Sequence, residues 1–441
     1  MHPFASYVLR SYYKATGWNE DNLYANLTRS SNALLDFSVP RGLHFSISKS
    51  PNSLFKTTYS MNALPSLNGS VGYIFTSCNL DVKGSGDVRF KDMVDRFKVF
   101  DQPRKPEGKE EEWLAGERVD TRDYLLYGRI YIPTGRLDAL YSTRLTPTLQ
   151  AMVAAISDPR SPISAERPRT HGPASNIMFS LQQDTGKWCT EYTWSAEDGM
   201  WGIRSLYNFG RLGSSTESAQ NDSEKVGHAP TGRRSKRVDE EDAVEGGLRG
   251  RVSIGGEFYF SAKEKSAGVS TGIRFTTVPD ATPPSFQVPS SSSPVGSAPR
   301  SPPSQPPTTI TALFNPMLGH ISGAYAARVS RDLSLASRFD FNVYSYESEW
   351  SIGAEWWQRR GKMRASELPA DGDQQLPSMS ELADEVQGVV KAKVSTTTDV
   401  SLLWEGRLRN VLVSLGVVSN LSSRSKPIKS IGLELSYFSS G

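Results

Sequence analysis

Residues 332–343 read Asp-Leu-Ser-Leu-Ala-Ser-Arg-Phe-Asp-Phe-Asn-Val. The apolar side chains of this stretch fall on alternate positions, at Leu333, Leu335, Phe339, Phe341 and Val343. The positions between them are mostly polar and include two charges, Arg338 and Asp340. Because successive side chains of a β-strand point to opposite faces, a period of two predicts a strand with one apolar and one polar face.

The same alternation recurs in 251–260, 399–408 and 430–437. These stretches are longer than the usual strand of a soluble sheet, which has about 5–6 residues. Strands of about 9–11 residues are the length that crosses a bilayer when tilted. The pattern therefore predicts an all-β chain and makes a membrane β-barrel one of its possible forms.

The composition narrows the class of protein. The chain has 441 residues and a formal net charge of +3, so no basic surface argues for nucleic acid. Its two cysteines, Cys78 and Cys189, are too few for a secreted disulfide framework and favour an intracellular setting. Mean hydropathy is −0.43, and no stretch approaches the ~18 apolar residues of a spanning helix. A barrel remains compatible, because its strands alternate lipid-facing and lumen-facing side chains.

Aromatic residues near strand ends favour a membrane barrel over a soluble β-sandwich. Trp350, Trp356 and Trp357 bracket one strand, and Arg359 and Arg360 follow it at once. Indole rings favour the membrane–water boundary, where long basic side chains also reach the polar region. We therefore predict that these five residues belong to an interface girdle. A soluble sandwich with charged outer positions is the alternative.

Four polar or low-complexity segments are predicted to be long loops, at 79–120, 210–249, 278–316 and 358–385. Residues 1–30 are predicted to form an N-terminal helical segment, and residues 31–441 the barrel. Leu23, Leu27 and Leu34 would share one helical face. Such a helix could lie on or inside a barrel, or it could cap a soluble core.

Within the first long loop, segment 91–99 is predicted to be an amphipathic helix. Its apolar residues Met93, Val94 and Phe97 are candidates for partner contact, and a plug at the barrel mouth is the other interpretation. The histidines are scattered without metal-ligand spacing, and no nucleotide-binding or nucleophile-elbow motif occurs. We therefore expect neither a cofactor nor enzymatic activity.

Strings at both ends of the chain resemble one family. The opening residues 1–19, the stretches 21–24, 34–37 and 40–43, and the closing residues 432–438 are similar to the fungal mitochondrial distribution and morphology protein ten family. This resemblance implies a porin-like barrel of nineteen strands in the mitochondrial outer membrane, related in architecture to the voltage-dependent anion channel. It also implies a non-enzymatic scaffold. Its partners would be subunits of the ER–mitochondria encounter structure, which tethers membranes and exchanges phospholipid, and of the sorting and assembly machinery for β-barrels.

Two further features concern assembly and partners. The last strand carries the spacing polar-x-Gly-x-x-apolar-x-apolar of a mitochondrial β-signal, at Ser430, Gly432, Leu435 and Tyr437. Such a strand can add to an open sheet edge by main-chain pairing. Tyr59 and Tyr73 of the early strands are candidate partner contacts. A metabolite or ion channel is the alternative function, and a soluble β-rich binding protein is a third.

Alternation and length together mark nineteen candidate strands. They are 33–39, 42–48, 54–62, 69–78, 121–132, 135–144, 147–156, 175–183, 187–195, 200–209, 250–260, 267–277, 317–329, 332–343, 347–357, 386–394, 397–406, 408–419 and 428–438.

An odd strand total requires parallel pairing of the first and last strands, because a closed barrel leaves no free edge. In this assignment the inserts 79–120, 210–249 and 278–316 share one face. Loops 157–174 and 358–385 share the other face with the C-terminus. The resemblance places the C-terminus in the intermembrane space, so this assignment predicts that the three inserts face the cytosol.

Overall fold

The computed structural model describes residues 2–80, 82–100, 103–106, 113–114, 117–118, 122–159, 174–210, 250–277, 306–359, 386–397, 399–422 and 427–440. Within these residues, nineteen strands pair into one closed sheet, and residues 113–114 pair with 117–118 in a separate two-strand hairpin. The barrel strands are β1 (Gly42–Ser50), β2 (Phe55–Leu64), β3 (Asn68–Thr76), β4 (Tyr124–Ile132), β5 (Leu137–Thr146), β6 (Leu149–Asp158), β7 (Ala174–Asp184), β8 (Trp188–Ser195), β9 (Met200–Asn208), β10 (Gly250–Ser261), β11 (Ser266–Thr277), β12 (Thr308–Asn315), β13 (His320–Arg328), β14 (Leu333–Asn342), β15 (Ser348–Arg359), β16 (Val386–Ser395), β17 (Asp399–Leu408), β18 (Val411–Asn420) and β19 (Ile428–Ser440).

Neighbouring strands along the chain pair antiparallel, and the barrel closes through one parallel pair. In that pair β1 lies beside β19 in continuous register, from Gly42 opposite Gly432 to Ser50 opposite Ser440. The odd total of strands requires this parallel closure. The predicted all-β fold, the count of nineteen and the mode of closure are confirmed.

The sheet is apolar on its outer face and polar on its inner face, which is the reverse of a soluble protein. On β14, the side chains of Leu335 and Phe339 are exposed on the outside. Buried polar side chains such as Ser351, Glu355 and Lys391 face the inside. An exposed apolar exterior around a polar interior is the arrangement of a membrane barrel. It excludes the soluble sandwich, in which the apolar faces pack together.

The helical elements lie inside the barrel. They are α1 (Phe4–Thr16), a 3₁₀ turn (Tyr24–Asn26), α2 (Arg29–Leu35) and the single turn α3 (Phe90–Met93). The segment touches several sides of the interior, because α1 contacts β4, the 3₁₀ turn contacts β9 and β10, and α2 contacts β13 to β16. No helix in the described residues is both long and apolar enough to cross a membrane.

Two strand assignments from sequence were wrong. One predicted a strand that does not form and the other missed a strand that does, so the total of nineteen was unchanged. Residues 33–39 do not form a strand, because Leu34 and Leu35 are adjacent and both buried, as in a helix packed in the lumen. The strand β12 (Thr308–Asn315) lies in the segment 278–316 that was expected to be a loop. The N-terminal helical segment also extends beyond residue 30, so the barrel begins at Gly42 instead of residue 31.

These two corrections change which loops share a face. We call the end of the barrel that holds Gly42 the N-terminal rim, and the end that holds the last residues of β19 the C-terminal rim. Odd-numbered strands end at the C-terminal rim, so the connections after β3, β9, β11 and β15 all leave from it. The three inserts therefore start from the same rim, as predicted. However, β15 and the C-terminal strand β19 also end at this rim, while β6 ends at the opposite rim. The inference that these inserts face the cytosol therefore fails.

Candidate functional site: the occupied barrel interior

Helix α1 fills part of the lumen with aromatic side chains. Phe4, Val8 and Tyr12 recur at helical spacing and are all buried. The ring of Phe4 lies 5.3 Å from the ring of Phe438 on the inner face of β19. The helix ends at Gly17, whose positive φ of 69° continues the chain in a left-handed conformation that glycine adopts without strain. The N-terminal string that resembles the family is therefore an interior structural element.

The chain after β3 folds back into the lumen and packs on the N-terminal segment. We call residues 82–100 the plug. Its backbone is held at several points: the Ser85 N–H donates to the Phe438 carbonyl at 2.8 Å, and the guanidinium of Arg407 donates to the Gly86 carbonyl at 2.6 Å. The N–H of His2 donates to the Met93 carbonyl at 2.8 Å. The plug therefore joins the N-terminus to the wall.

The candidate partner residues Met93, Val94 and Phe97 are buried in this plug. Phe97 packs with Ala33, Leu34 and other side chains of the α2 region. Burial inside the barrel removes these residues from any surface that a partner could reach, so the plug interpretation replaces partner contact for them. The predicted amphipathic helix over 91–99 is also wrong, because the helix is the single turn Phe90–Met93.

A buried lysine–glutamate pair holds the plug and α2 against the wall. The ammonium of Lys391 donates to the carbonyls of Ala33, at 2.9 Å, and of Asp95. It also lies 3.9 Å from the carboxylate of Glu355. That carboxylate accepts a hydrogen bond from the Trp357 indole at 2.7 Å. Because both charges are buried, each depends on these partners to offset its lost hydration.

Two acidic residues of the interior join segments distant in sequence. Asp21 accepts hydrogen bonds from Arg29 at 2.6 Å and from Lys98 of the plug at 2.7 Å. Burial alone would raise the pKa of Asp21, but the charges and hydrogen bonds of Lys98 and Arg29 outweigh it and hold the pKa below 3.8. Asp95 of the plug lies 3.0 Å from the ring of His2 and 3.0 Å from Arg10 of α1. Burial alone would raise the pKa of Asp95, but His2 and, to a lesser extent, Arg10 outweigh it and lower the pKa.

The mid-strand charges face the lumen. Arg338 of β14 donates to both carboxylate oxygens of Asp36, at 2.6 and 2.9 Å, and its Nε donates to Asp340 at 3.0 Å. This paired arrangement fixes the chain between α2 and β1. Sequence alternation predicted the strand and its polar face, but it gave no sign that an N-terminal carboxylate would occupy the lumen opposite Arg338.

The predicted interface girdle divides into outward and inward residues. Trp350 is 50% exposed and Trp356 is 58% exposed on the outer face. Trp357 is only 7% exposed and points inward, since its neighbours in the strand alternate faces. Arg359 also points inward and pairs with Asp332. Trp357 and Arg359 are therefore not girdle residues, and Arg360 lies outside the described residues.

A second set of aromatics on β7 to β9 occupies both ends of the outer face. Phe179, Trp194 and Trp201 form one cluster, with centroids of successive rings 5.6 and 6.1 Å apart. Trp188 and Tyr207, 4.6 Å apart, lie toward the other rim. Trp188 and Trp194 thus lie toward opposite ends of β8, and Trp350 and Trp356 lie toward opposite ends of β15. Aromatic side chains toward both rims of the outer face are typical of a membrane barrel.

The remaining candidate residues lie on or beside the outer face. Tyr59 and Tyr73 are exposed there, and the ring of Tyr73 lies over Gly128 of the adjacent strand. Their role as partner contacts stays a prediction.

The β-signal candidates lie in β19. Leu435 and Tyr437 stand opposite the outward-facing Phe45 and Ile47 of β1, and Gly432 faces inward against Pro40. Ser430 is half-buried near the start of the strand. Their role in membrane assembly stays a prediction.

These features define a membrane β-barrel of nineteen strands whose lumen is occupied by its own N-terminal segment and plug. The family model described as "Mitochondrial distribution and morphology protein 10" matches residues 1–384 and 379–440. The chain belongs to this family, and it is a mitochondrial β-barrel.

Relatives that carry the same description match over almost the whole chain. A protein of Postia placenta is 79% identical and one of Laccaria bicolor is 74% identical, each over 100% of both chains. A protein of Cryptococcus neoformans var. neoformans is 42% identical over 99% of both chains. The family name associates these proteins with mitochondrial distribution and morphology.

Proposed function

We propose that this barrel is a non-enzymatic scaffold of the mitochondrial outer membrane. It anchors the tether of the ER–mitochondria encounter structure, which exchanges phospholipid, and it assists the sorting and assembly machinery in β-barrel biogenesis. Mitochondrial morphology and inheritance depend on both roles. Membership of a family named for mitochondrial distribution and morphology supports this proposal.

The occupied lumen is the observation that carries the scaffold proposal. Lys391 of the wall, Ala33 of the N-terminal segment and Asp95 of the plug meet at one ammonium group in the interior. Such contacts fix the plug in place and leave the outer wall and the two rims as the surfaces for partners. Tyr59 and Tyr73 on the outer wall are candidate contacts.

A metabolite or ion channel of the porin type is the second candidate. The nineteen-strand barrel favours it, and so do two interior cavities of about 560 and 440 Å³ that remain beside the plug. A channel would need these spaces to join into a continuous path, and the packing of Phe97 on α2 opposes this.

Conductance and co-purification distinguish the two functions. We expect the wild-type protein in planar bilayers to lack the open-pore conductance of a porin, and tagged protein from mitochondria to co-purify subunits of both partner complexes. Phe97→Ala should raise the conductance by loosening the plug, while Phe339→Ala on the outer face should not. Porin-like conductance of the wild type without co-purification of either complex would favour the channel.

The outer-membrane location has its own test. We expect the protein to resist carbonate extraction. When the inner and outer mitochondrial membranes are separated, we expect it in the outer-membrane fraction. Recovery in the carbonate supernatant would contradict the membrane assignment.

A further inference from the structure

The cavity of about 560 Å³ lies inside the barrel near the C-terminal rim, between the N-terminal segment, the plug and strands β9 to β11. Six cationic residues line it: Lys14, Lys98, Arg104, Lys105, Arg251 and Arg274. Among the described lining residues, Asp21 is the single carboxylate, and it is already paired with Arg29 and Lys98. The cavity therefore carries a strong excess of positive charge.

Two neighbouring strands build one wall of this cavity. Arg251 and Ser253 of β10 stand opposite Thr276 and Arg274 of β11, so four inward side chains form a compact patch. Ser253 donates to Asn208 of β9 at 2.7 Å, which fixes the edge of the patch. Side chains held on regular strands keep their positions without the cost of ordering a loop.

Two polar atoms of the patch lack partners within the described part of the chain. They are Nη1 of Arg274 and Oγ1 of Thr276, and their residues are only 4% and 3% exposed. The ring of Phe100 lies 4.1 Å from the guanidinium carbon of Arg274 and covers one of its faces. Asp21 lies within electrostatic reach of Arg274, but it is already shared by Arg29 and Lys98, and Nη1 of Arg274 has no hydrogen-bond acceptor among the described residues. A buried donor without an acceptor is costly, so this wall favours a further anion.

We propose that this cavity binds the phosphate group of an anionic ligand. Arginine presents a planar fork of donors that matches phosphate oxygens. The hydroxyl of Thr276 can donate to the same group, and Lys14 and Lys105 can balance further negative charge. A cavity of this size holds a small organic phosphate.

Two sources offer this chemistry, a soluble phosphate and the headgroup of an anionic phospholipid. The experiment uses the full chain in maltoside detergent and phosphate-free buffer, with inorganic pyrophosphate in one arm and phosphatidic acid in mixed micelles in the other. Isothermal calorimetry gives the affinity and thermal unfolding gives the stabilisation. If pyrophosphate binds and phosphatidic acid does not displace it, the source is a soluble phosphate. If phosphatidic acid displaces pyrophosphate, the source is the lipid headgroup.

Arg274→Gln is the decisive variant and Arg328→Gln is its matched control. Arg328 is another interior strand arginine, beside the ring of Phe97, and it does not line this cavity. We expect Arg274→Gln to weaken binding at least tenfold and Thr276→Val to weaken it several-fold, with Arg328→Gln unchanged. Without phosphate, Arg274→Gln should be about as stable as the wild type, since it removes a buried cation whose Nη1 has no hydrogen-bond acceptor in the described part of the chain.

The proposal is overturned if neither probe binds at millimolar concentration. It is also overturned if Arg274→Gln binds as the wild type does, or if Arg328→Gln weakens binding equally. The last result would mean that pyrophosphate acts on the interior as a whole.

Discussion

Gly42 at the start of β1 lies directly beside Gly432 of β19, in the parallel pair that closes the barrel. A Cβ at Gly432 would lie 2.3 Å from the Pro40 carbonyl oxygen, and one at Gly42 would lie 2.1 Å from the Leu64 carbonyl oxygen. Gly416 of β18 continues the row beside Gly432. The chain thus passes from the lumen into the wall at a point where glycines let neighbouring backbone segments approach closely.

The first prediction concerns this passage. Gly432→Ala should destabilise the barrel by about 1–3 kcal/mol, the usual cost of overpacking, because the new methyl group meets backbone that cannot move freely. Gly323→Ala is the control, since a Cβ there would have no atom within 4 Å. Thermal unfolding and the fraction that migrates as folded barrel on semi-native gels are measured. Equal effects of the two substitutions would contradict the assigned role of Gly432.

The second prediction concerns the buried pair that anchors the plug. Lys391→Met should cost about 3–5 kcal/mol, because it leaves Glu355 buried without its counter-charge. The double variant Lys391→Met/Glu355→Gln should recover much of this loss. Lys393→Met is the control, since Lys393 is less buried and lies 3.7 Å from Asp36. A double variant as unstable as the sum of the two single variants would show that the pair is not coupled.

The third prediction concerns pH. The pKa of Asp21 is lowered from 3.8 in the folded protein, so its contribution to stability is complete above that value and is lost as pH falls through the folded pKa. Asp21→Asn should therefore be less stable than the wild type at pH 7, by about 1–3 kcal/mol for lost charged hydrogen bonds. The difference should shrink below pH 3.8. Asp198→Asn, in an exposed turn, is the control and should change neither the stability at pH 7 nor its dependence on pH. A stability difference between Asp21→Asn and the wild type that stays constant across this pH range would refute the linkage.

The fourth prediction concerns topology. A protease site introduced into 211–249 should share its accessibility in intact mitochondria with a tag on the C-terminus, because both leave from the C-terminal rim. A site introduced into 160–173 should show the opposite behaviour. Cleavage of the first site together with protection of the C-terminal tag would be incompatible with this strand order.

The fifth prediction concerns the aromatic belts. Brominated lipids should quench part of the tryptophan fluorescence of the reconstituted protein, and Trp350→Phe or Trp356→Phe should each reduce the quenched part. Trp357→Phe should leave the quenched part unchanged, since its indole lies in the interior and donates to Glu355. Loss of quenching in Trp357→Phe would place that side chain in the lipid.

Alternation predicted most of the wall because each strand separates lipid from lumen and repeats every two residues. It failed at 33–39, where Leu35, Phe37 and Val39 alternate by chance while the chain before them is helical. It also missed Thr308–Asn315, since this strand directly follows a Pro/Ser-rich stretch and is one of the shortest in the barrel. The strand count was correct despite these two errors, but the predicted positions of the loops relative to the C-terminus were wrong.

The interior could not be predicted from local pattern. Lys391 and Glu355 appear in sequence as ordinary polar positions of two strands, and only the closed barrel brings them to Ala33 and Phe97. The same holds for Arg274 and Thr276. Pairings between segments distant in sequence leave no periodic signal in either segment, so the candidate sites inside the lumen emerged from the structure alone.

The parallel pairing of β1 with β19 also constrains when the protein can fold. The strand that closes the barrel is the last of the nineteen to be synthesised, so the wall stays open until that strand has been made. Until then the edges of the unfinished sheet expose unpaired N–H and C=O groups, which invite aggregation in water and are costly in lipid. Those edges must therefore stay covered between synthesis and closure.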